Sequence, residues 1–302
     1  MELVNLTDFD KIKLLGTGSS AEVYLVEKQN CKYAMKITRK DSKRAFTNAL
    51  IEKDILIHSQ HPFVSRLFYS FQSESQLYMI MPYCECGNFY NFMKQQELQC
   101  FTEEQTKYYA SCILLALEYL HFIGVIYRDL KLENVLVCLS GHILLSDFDL
   151  SIYAKTTSVR TFKKPHGEFS VISEPNITVN SMAGTPEYLA PEIIDGKYYT
   201  CVVDWWQYGI LVYEMLYGHT PFYHTNTHQI FNLIKQCYLI FPHHYPGHKV
   251  SHKAKDVIKH LLIRDPNKRL GFVGGAAEIK CHSFFSEIEF QLLRHKIPPI
   301  IP

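Results

Sequence analysis

The chain has 302 residues, of which 47% are hydrophobic and 20% charged, the balance of a folded protein with a sizeable core rather than a disordered one. Lys and Arg total 31 against 30 Asp and Glu, a net charge of +1 that argues against nucleic acid or an anionic membrane as the main partner. The longest apolar run, Trp205 to Tyr217, is broken by Gln207, Gly209 and Glu214 and falls short of the about 20 residues of a bilayer span. Met1-Glu2-Leu3-Val4-Asn5 lacks a basic stretch followed by an apolar one, so no secretory signal is expected. Nine cysteines without zinc-type spacing read as reduced thiols of a cytosolic protein. The sequons at Asn5 and Asn176 are then expected to go unused.

The first eighty residues read as short β-rich runs, Lys11–Leu15, Ala21–Val26, Tyr33–Ile37, Arg66–Phe71 and Leu77–Met81, with turn residues between them. One helix, Lys43–His58, interrupts them and ends before Pro62. Beyond Tyr83, Thr102-Glu103-Glu104-Gln105 is a capping box that opens an apolar helix running to about Phe122, where Gly124 stops it. Val135–Cys138 and His142–Ser146 read as strands around Ser140-Gly141. Ser151 to Asn180 shows little periodicity, and from Asp204 the chain is mostly helical. The pattern predicts an α+β, bilobal fold: a small sheet-rich lobe with one main helix, a hinge, and a larger helical lobe.

Four segments carry chemistry. Gly16-Thr17-Gly18-Ser19-Ser20-Ala21-Glu22-Val23 lies between two strands, where glycines let backbone N–H groups approach phosphate oxygens; alone, it reads equally well as a hairpin turn. Lys36 sits on the third strand and Glu52, 16 residues on, is its natural counter-ion. Tyr127-Arg128-Asp129-Leu130-Lys131-Leu132-Glu133-Asn134, followed by Ser146-Asp147-Phe148-Asp149, is the most specific block. Phosphoryl transfer needs a carboxylate beside the incoming hydroxyl and oxygen ligands for magnesium; Asp129 offers the first, Asn134 and Asp147 the second, and Lys131 a cation for the transferring phosphate. Ser181 to Glu192 contains Gly184-Thr185-Pro186-Glu187, which alone is a plausible turn.

Taken together these residues resemble a eukaryotic protein kinase from Phe9 to about Phe285. Tyr-Arg-Asp at 127–129, Gly184 to Glu192 and Val203-Asp204-Trp205-Trp206 are similar to the AGC group of serine/threonine kinases. Asp147-Phe148-Asp149 in place of Asp-Phe-Gly, an extended segment 147–192, and the Pro298-Pro299-Ile300-Ile301-Pro302 ending resemble the subgroup of plant phototropin- and PINOID-like kinases and fungal flippase kinases. The resemblance implies an N-terminal extension at 1–8, an N-lobe at 9–81, a hinge at 82–87, a C-lobe at 88–285 and a short tail at 286–302.

It also implies roles. Gly16, Gly18 and Val23 would cover ATP, Ala34, Met81 and Leu136 would line its adenine pocket, and Lys36 with Glu52 would orient its phosphates. Asp129 would be the catalytic base with Lys131 beside it, and Asn134 and Asp147 would hold Mg²⁺. Ser181 matches an activation-loop phosphorylation site whose phosphate would pair with Arg128. Glu133 and Glu214 match acidic positions that read arginine upstream of the target, and Thr185 a position that selects Ser/Thr. Glu192 with Arg269, and Asp204, match structural positions of the larger lobe.

The implied partners are protein substrates and an upstream activating kinase, with no nucleic acid; the implied state is a cytoplasmic monomer. A pseudokinase scaffold and a small-molecule or lipid kinase are the alternatives. The first is opposed by the presence of Lys36, Glu52, Asp129, Asn134 and Asp147; the second by the peptide-docking residues 184–187 and 190–192.

Several positions depart from the family pattern. Ala21 replaces a third glycine, Asn88 replaces a glutamate that serves ribose and substrate, and Asp149 lacks glycine's freedom at positive φ. The chain ends at Pro302 ahead of a Phe-rich docking motif, so activation is expected to use a partner's segment or to need none. The insert 153–180 carries Lys155, Arg160, Lys163 and Lys164 against Glu168 and Glu174. It is expected to be solvated and mobile, with weak attraction to anionic lipid as the sharper reading. His224, His228, His243, His244, His248 and His252 read as ordinary histidines rather than a metal site.

Overall fold

The computed structural model describes residues 4–18, 21–242 and 249–302. Its small lobe is one antiparallel sheet of β1 (Asp10–Thr17), β2 (Ala21–Lys28), β3 (Cys31–Arg39), β4 (Tyr69–Gln72) and β5 (Gln76–Pro82), ordered β1-β2-β3-β5-β4. Helix α1 (Lys43–His58) crosses between β3 and β4, with Ser42 as its N-cap accepting from the Ala45 amide. The sheet interior packs Phe9, Val26, Met35, Ile37, Tyr78 and Ile80 together. The other face of the sheet, through Leu77 and Met79, joins Ala49, Ile55 and Leu56 of α1 and is continuous with the core of the larger lobe.

After the hinge come α2 (Phe89–Lys94), α3 (Glu103–Phe122), β6 (Val125–Ile126), β7 (Val135–Val137), β8 (Ile143–Leu145) and β9 (Ile152–Tyr153). Helix α3 starts at the expected capping box, with Thr102 Oγ1 accepting from the Gln105 amide and Gln105 Oε1 from the Thr102 amide. Strands β10 (Thr157–Lys163) and β11 (Phe169–Pro175) follow, then α4 (Pro191–Ile194), α5 (Val202–Tyr217), α6 (Thr227–Gln236), α7 (His252–Leu261) and α8 (Gly275–Lys280). Every residue of α5 is buried, as its all-round apolar sequence requires of a helix at the centre of a lobe. Among the described residues no helix is long and apolar enough to cross a membrane, and all nine cysteines are free thiols.

The insert departs from expectation. Instead of a mobile loop, β10 and β11 pair antiparallel from Thr157 opposite Pro175 to Lys163 opposite Phe169. The hairpin lies on α3 and α8. Ile172 is buried, and the Phe162 ring packs so tightly on Gly274 that a β-carbon there would stand 2.7 Å from it. Two of the four cations counted toward lipid are engaged within the hairpin, Arg160 with Glu174 and Lys164 with Glu168. The sequence hides this alternation because Val159, Phe169 and Val171 put apolar side chains on the outer face as well.

Of the histidines singled out, His243, His244 and His248 lie outside the described residues, as do Ser19 and Ser20 of the glycine loop. His224, His228 and His252 are exposed and belong to no metal-type cluster among the described residues.

Candidate active site

The register of the small sheet sets one wall of the cleft. Gly16 pairs with Val23, Val23 with Lys36, and Ala34 with Met81, so residues expected around one ligand stand side by side on neighbouring strands. No atom lies within 4 Å of where a β-carbon on Gly16 would stand. Gly18 turns the chain back by donating its amide to the Ala21 carbonyl at 2.7 Å. Leu136 is half-buried on β7 and bridges to Asn88, the residue that caps α2 beyond the hinge.

Lys36 lies at the centre of an anionic cluster. Its amine is 2.9 and 2.8 Å from the two carboxylate oxygens of Glu52, 3.2 Å from Asp147 Oδ1 and 2.9 Å from Asp149 Oδ1. Burial opposes its charge, yet the Glu52, Asp147 and Asp149 carboxylates outweigh that and hold the amine well above the ordinary lysine range. Burial likewise pushes Asp149 up, but Lys36 prevails and its carboxyl sits below the usual value. Sequence reading assigned Asp149 no partner; nothing in the order of residues places a carboxylate two positions past Asp147 on the same amine.

Asp147 adopts φ +57, and Phe148 is fully buried against Tyr127 with ring centroids 5.5 Å apart. The backbone strain expected at Asp149 is not there: Asp147, not Asp149, takes the left-handed conformation. The Phe148 amide donates to Glu52 Oε1 at 3.4 Å, which ties α1 to this segment.

A second cluster forms around Asp129. Its Oδ2 accepts from Lys131 Nζ at 2.8 Å and Asn134 Nδ2 at 3.0 Å, while Oδ1 accepts from Thr185 Oγ1 at 2.9 Å. Lys131 also donates to Thr185 Oγ1 at 2.8 Å. The Asn134 carbonyl accepts from both the amide and hydroxyl of Ser146, at 2.9 and 2.8 Å, which joins this cluster to the residue preceding Asp147. A carboxylate, an amine and a hydroxyl are thus gathered beside the two oxygen-bearing residues Asn134 and Asp147.

The loop holding these groups is anchored from below. Asp204, fully buried in the first turn of α5, accepts from the Tyr127 amide at 2.9 Å and the Arg128 amide at 2.8 Å, and meets His121 Nε2 at 2.7 Å. Gln207, one turn on, accepts from the Leu130 amide and donates to the Arg128 carbonyl. Those contacts let Arg128 hold φ +69. Gln207 and His121 were not singled out as site residues. A glutamine inside an otherwise apolar helix was the available signal, since a buried polar side chain needs partners.

Arg128 reaches residues on either side of β9: Nη1 donates to Ser181 Oγ at 2.9 Å and to the Tyr199 hydroxyl at 3.1 Å, and Nε to the Leu150 carbonyl at 2.6 Å. Ser181 is exposed. Tyr199, which also donates to the Ser181 carbonyl at 2.8 Å, is a further member that spacing did not indicate.

Glu214 is buried and accepts from the Tyr188 hydroxyl. Burial, with Glu133 and Glu187 adding to it, pushes the Glu214 carboxyl up to about 7. Glu133 itself is exposed. Arg269 and Glu192 form a buried two-point pair at 2.7 and 2.8 Å. A cavity of about 830 Å³ lies elsewhere, between the insert hairpin and the helices beside it, and holds none of the cleft residues.

The protein kinase domain family matches residues 9–285. The chain is 44% identical over 308 residues to Flippase kinase 1 of Saccharomyces cerevisiae, covering 99% of this chain and 34% of that protein. It is 44% identical to Serine/threonine-protein kinase nrc-2 of Neurospora crassa, covering 97% of this chain and 49% of that protein. To Phototropin-2 of Oryza sativa it is 40% identical, covering 99% of this chain and 34% of that protein. The chain therefore spans half or less of the length of these relatives.

Proposed function

Because the chain belongs to the protein kinase domain family, we propose that it is an active serine/threonine protein kinase that uses ATP with Mg²⁺ and prefers basic protein substrates. One observation carries this reading: Lys36, Glu52 and Asp147 converge within 3.2 Å contacts, and Asp129 with Asn134 is hydrogen-bonded into the adjoining loop. A catalytically silent scaffold has no need to retain all five.

The donor types suit the cofactor. Asp147 keeps its side chain 46% exposed to the cleft, and Asn134 spends its amide nitrogen on Asp129, leaving its oxygen for a cation. Oxygen ligands of this kind take magnesium. Gly16 and Gly18, without side chains, and Val23 would cover the nucleotide, with Ala34, Met81 and Leu136 around the base. Lys36, steadied by Glu52, would orient phosphate oxygens. Mg²⁺ bound by Asn134 and Asp147 would offset the charge that develops on the transferring phosphate.

Asp129 would accept the proton of the substrate hydroxyl, and Lys131 would neutralise the phosphate moving past it. Thr185 shares hydrogen bonds with both, which supports reading its segment as the one that selects a Ser/Thr hydroxyl. Exposed Glu133, with Glu214 buried behind it and Glu187 contributing charge, would form an acidic patch suited to an arginine upstream of the target. Ser181, already in contact with Arg128, would receive an activating phosphate from an upstream kinase. We divide the chain at 9–81, 82–87, 88–285 and 286–302, with the activation segment at 147–192, and place the protein in the cytoplasm as a monomer.

The test is phosphate transfer from labelled ATP with Mg²⁺ to an arginine-containing peptide, with Asp129→Asn as control. General-base removal costs about 10²–10⁴ in turnover, with thermal stability unchanged. Equal, background-level transfer by both proteins refutes the proposal and favours the scaffold.

A further inference from the structure

The insert hairpin meets the larger lobe at three side chains that phosphoryl transfer does not use. His121 lies in the last turn of α3, Glu174 near the end of β11, and Cys201 at the N-cap of α5. They are 2%, 7% and 3% exposed. One ligand atom from each lies within 4.8 Å of the other two.

Two atoms at this spot lack partners. Nδ1 of His121 and Oε1 of Glu174 are both buried and make no hydrogen bond. A buried polar atom left without a partner is destabilising, so it is normally satisfied. Two of them together, beside a buried thiol, point to a missing ligand. The atoms behind them are already engaged. His121 Nε2 is 2.7 Å from the Asp204 carboxylate, the arrangement that orients an imidazole toward a metal and fixes which nitrogen is available. Glu174 Oε2 accepts from Arg160 Nη2 at 2.5 Å, and the same nitrogen donates to the Phe272 carbonyl at 2.9 Å. Burial, with the Glu174 and Asp204 carboxylates, holds the Cys201 thiol well above its ordinary range, so a cation would have to displace its proton on binding.

We propose that His121, Glu174 and Cys201 bind a divalent cation of the zinc class, which fastens the insert hairpin to α3 and α5. One imidazole nitrogen, one carboxylate oxygen and one thiolate sulfur are a donor set that zinc accepts, whereas magnesium and calcium select oxygen alone. Metal–ligand bonds of about 2.0–2.3 Å bring donor atoms within about 4 Å of one another, so the present spacing needs only a small closing movement. Three protein ligands leave the fourth tetrahedral position to water.

An entry path exists on both sides. His121 and Glu174 line the cavity of about 830 Å³ described above, and Glu174 and Cys201 line a smaller one of about 360 Å³ beyond Arg160. The cation would also brace Asp204 through His121, and so the backbone of Tyr127 and Arg128.

The experiment uses the 302-residue chain, stripped with chelator and then titrated separately with Zn²⁺ and Co²⁺. The proposal expects one zinc retained per chain, a cobalt–thiolate charge-transfer band, and at least tenfold slower amide exchange in residues 157–175 when metal is present. Cys201→Ser removes the band, Glu174→Gln weakens zinc at least tenfold, and Arg160→Gln weakens it about 10–100-fold. Melting of each metal-free variant against the metal-free parent separates lost folding from lost binding, and the cobalt spectrum of the unsubstituted chain depends on no variant. Absence of both the band and bound zinc overturns the site, as does zinc affinity unchanged in Cys201→Ser. In either case a proton shared by His121 and Glu174 satisfies the two atoms instead.

Discussion

The Lys36 amine stands 2.9 Å from Asp149 Oδ1, within 0.1 Å of its two contacts with Glu52 at 2.9 and 2.8 Å. Where the usual sequence has glycine, this chain adds a third carboxylate to the lysine that is proposed to meet ATP. Phosphate must therefore displace Asp149 from Lys36. With Asp149 40% exposed, such a pair is worth about 0.2–1 kcal/mol. Asp149→Gly should lower the KM for ATP, by up to about fivefold, and should increase affinity for inhibitors that require the Asp147–Phe148 segment inverted. Steady-state kinetics and inhibitor titration check both. A raised KM would show instead that Asp149 helps to hold the nucleotide or its cation.

Arg128 already holds the Ser181 hydroxyl, and Tyr199 flanks it. A phosphate there brings a charge of about −1.5 to −2 and oxygens that turn one neutral-acceptor contact into 1–3 charge-assisted ones. Phosphorylated chain should show at least tenfold higher kcat and slower proteolysis between 176 and 190 than Ser181→Ala. Removing Arg128's charge as Arg128→Gln should abolish that difference in proteolysis while leaving Ser181 able to accept phosphate. Equal cleavage of the phosphorylated and unphosphorylated chains would remove the ordering role.

What could be read from the sequence was set by how local its cause is. The helix at Lys43–His58 and the capping box at Thr102 depend on neighbours within four residues, and both stand where spacing puts them. The Lys36–Glu52 pair, read from order and spacing, is a direct contact in the structure, and Asp129 and Asn134, read as neighbours in one loop, are hydrogen-bonded there. The hairpin at 157–175 is not legible in the sequence because apolar residues occupy both faces and hide the two-residue period. Asp149 on Lys36, Tyr199 on Ser181 and His121 beside Glu174 join residues 18 to 113 positions apart. Such meetings are products of chain folding, and no local pattern encodes them.

Arg269 and Glu192 are both nearly inaccessible, and the guanidinium also donates to the carbonyls of Val202 and Ile263. Removing one partner strands a buried charge. Arg269→Met should therefore destabilise the chain by about 3–5 kcal/mol, read as a lowered denaturation midpoint. Adding Glu192→Leu should restore part of that loss, because an apolar pair replaces the stranded carboxylate. Recovery should stay incomplete, since the two carbonyls still lack their donor. Strict additivity of the two substitutions would show that the pair is not coupled.

Glu214, buried behind the proposed arginine-reading patch, gives that patch a pH dependence. Its carboxyl is raised to about 7, with burial the main cause and Glu133 and Glu187 contributing. The folded chain thus keeps this proton over a range in which the unfolded chain has lost it, from the ordinary 4.5 up to about 7. Its contribution to stability accordingly declines as pH rises through that window. Substrate binding runs the other way. Only the ionised carboxylate pairs with an arginine, so KM for an arginine-containing peptide should fall as pH rises toward about 7 and level off above it, by at most about tenfold per pH unit for one proton. Glu214→Gln should raise KM for that peptide and flatten the profile, while a lysine- and arginine-free peptide should show no such slope in either protein. A slope that survives Glu214→Gln would place the titrating group elsewhere, with Glu133 and Glu187 the next carboxyls to replace.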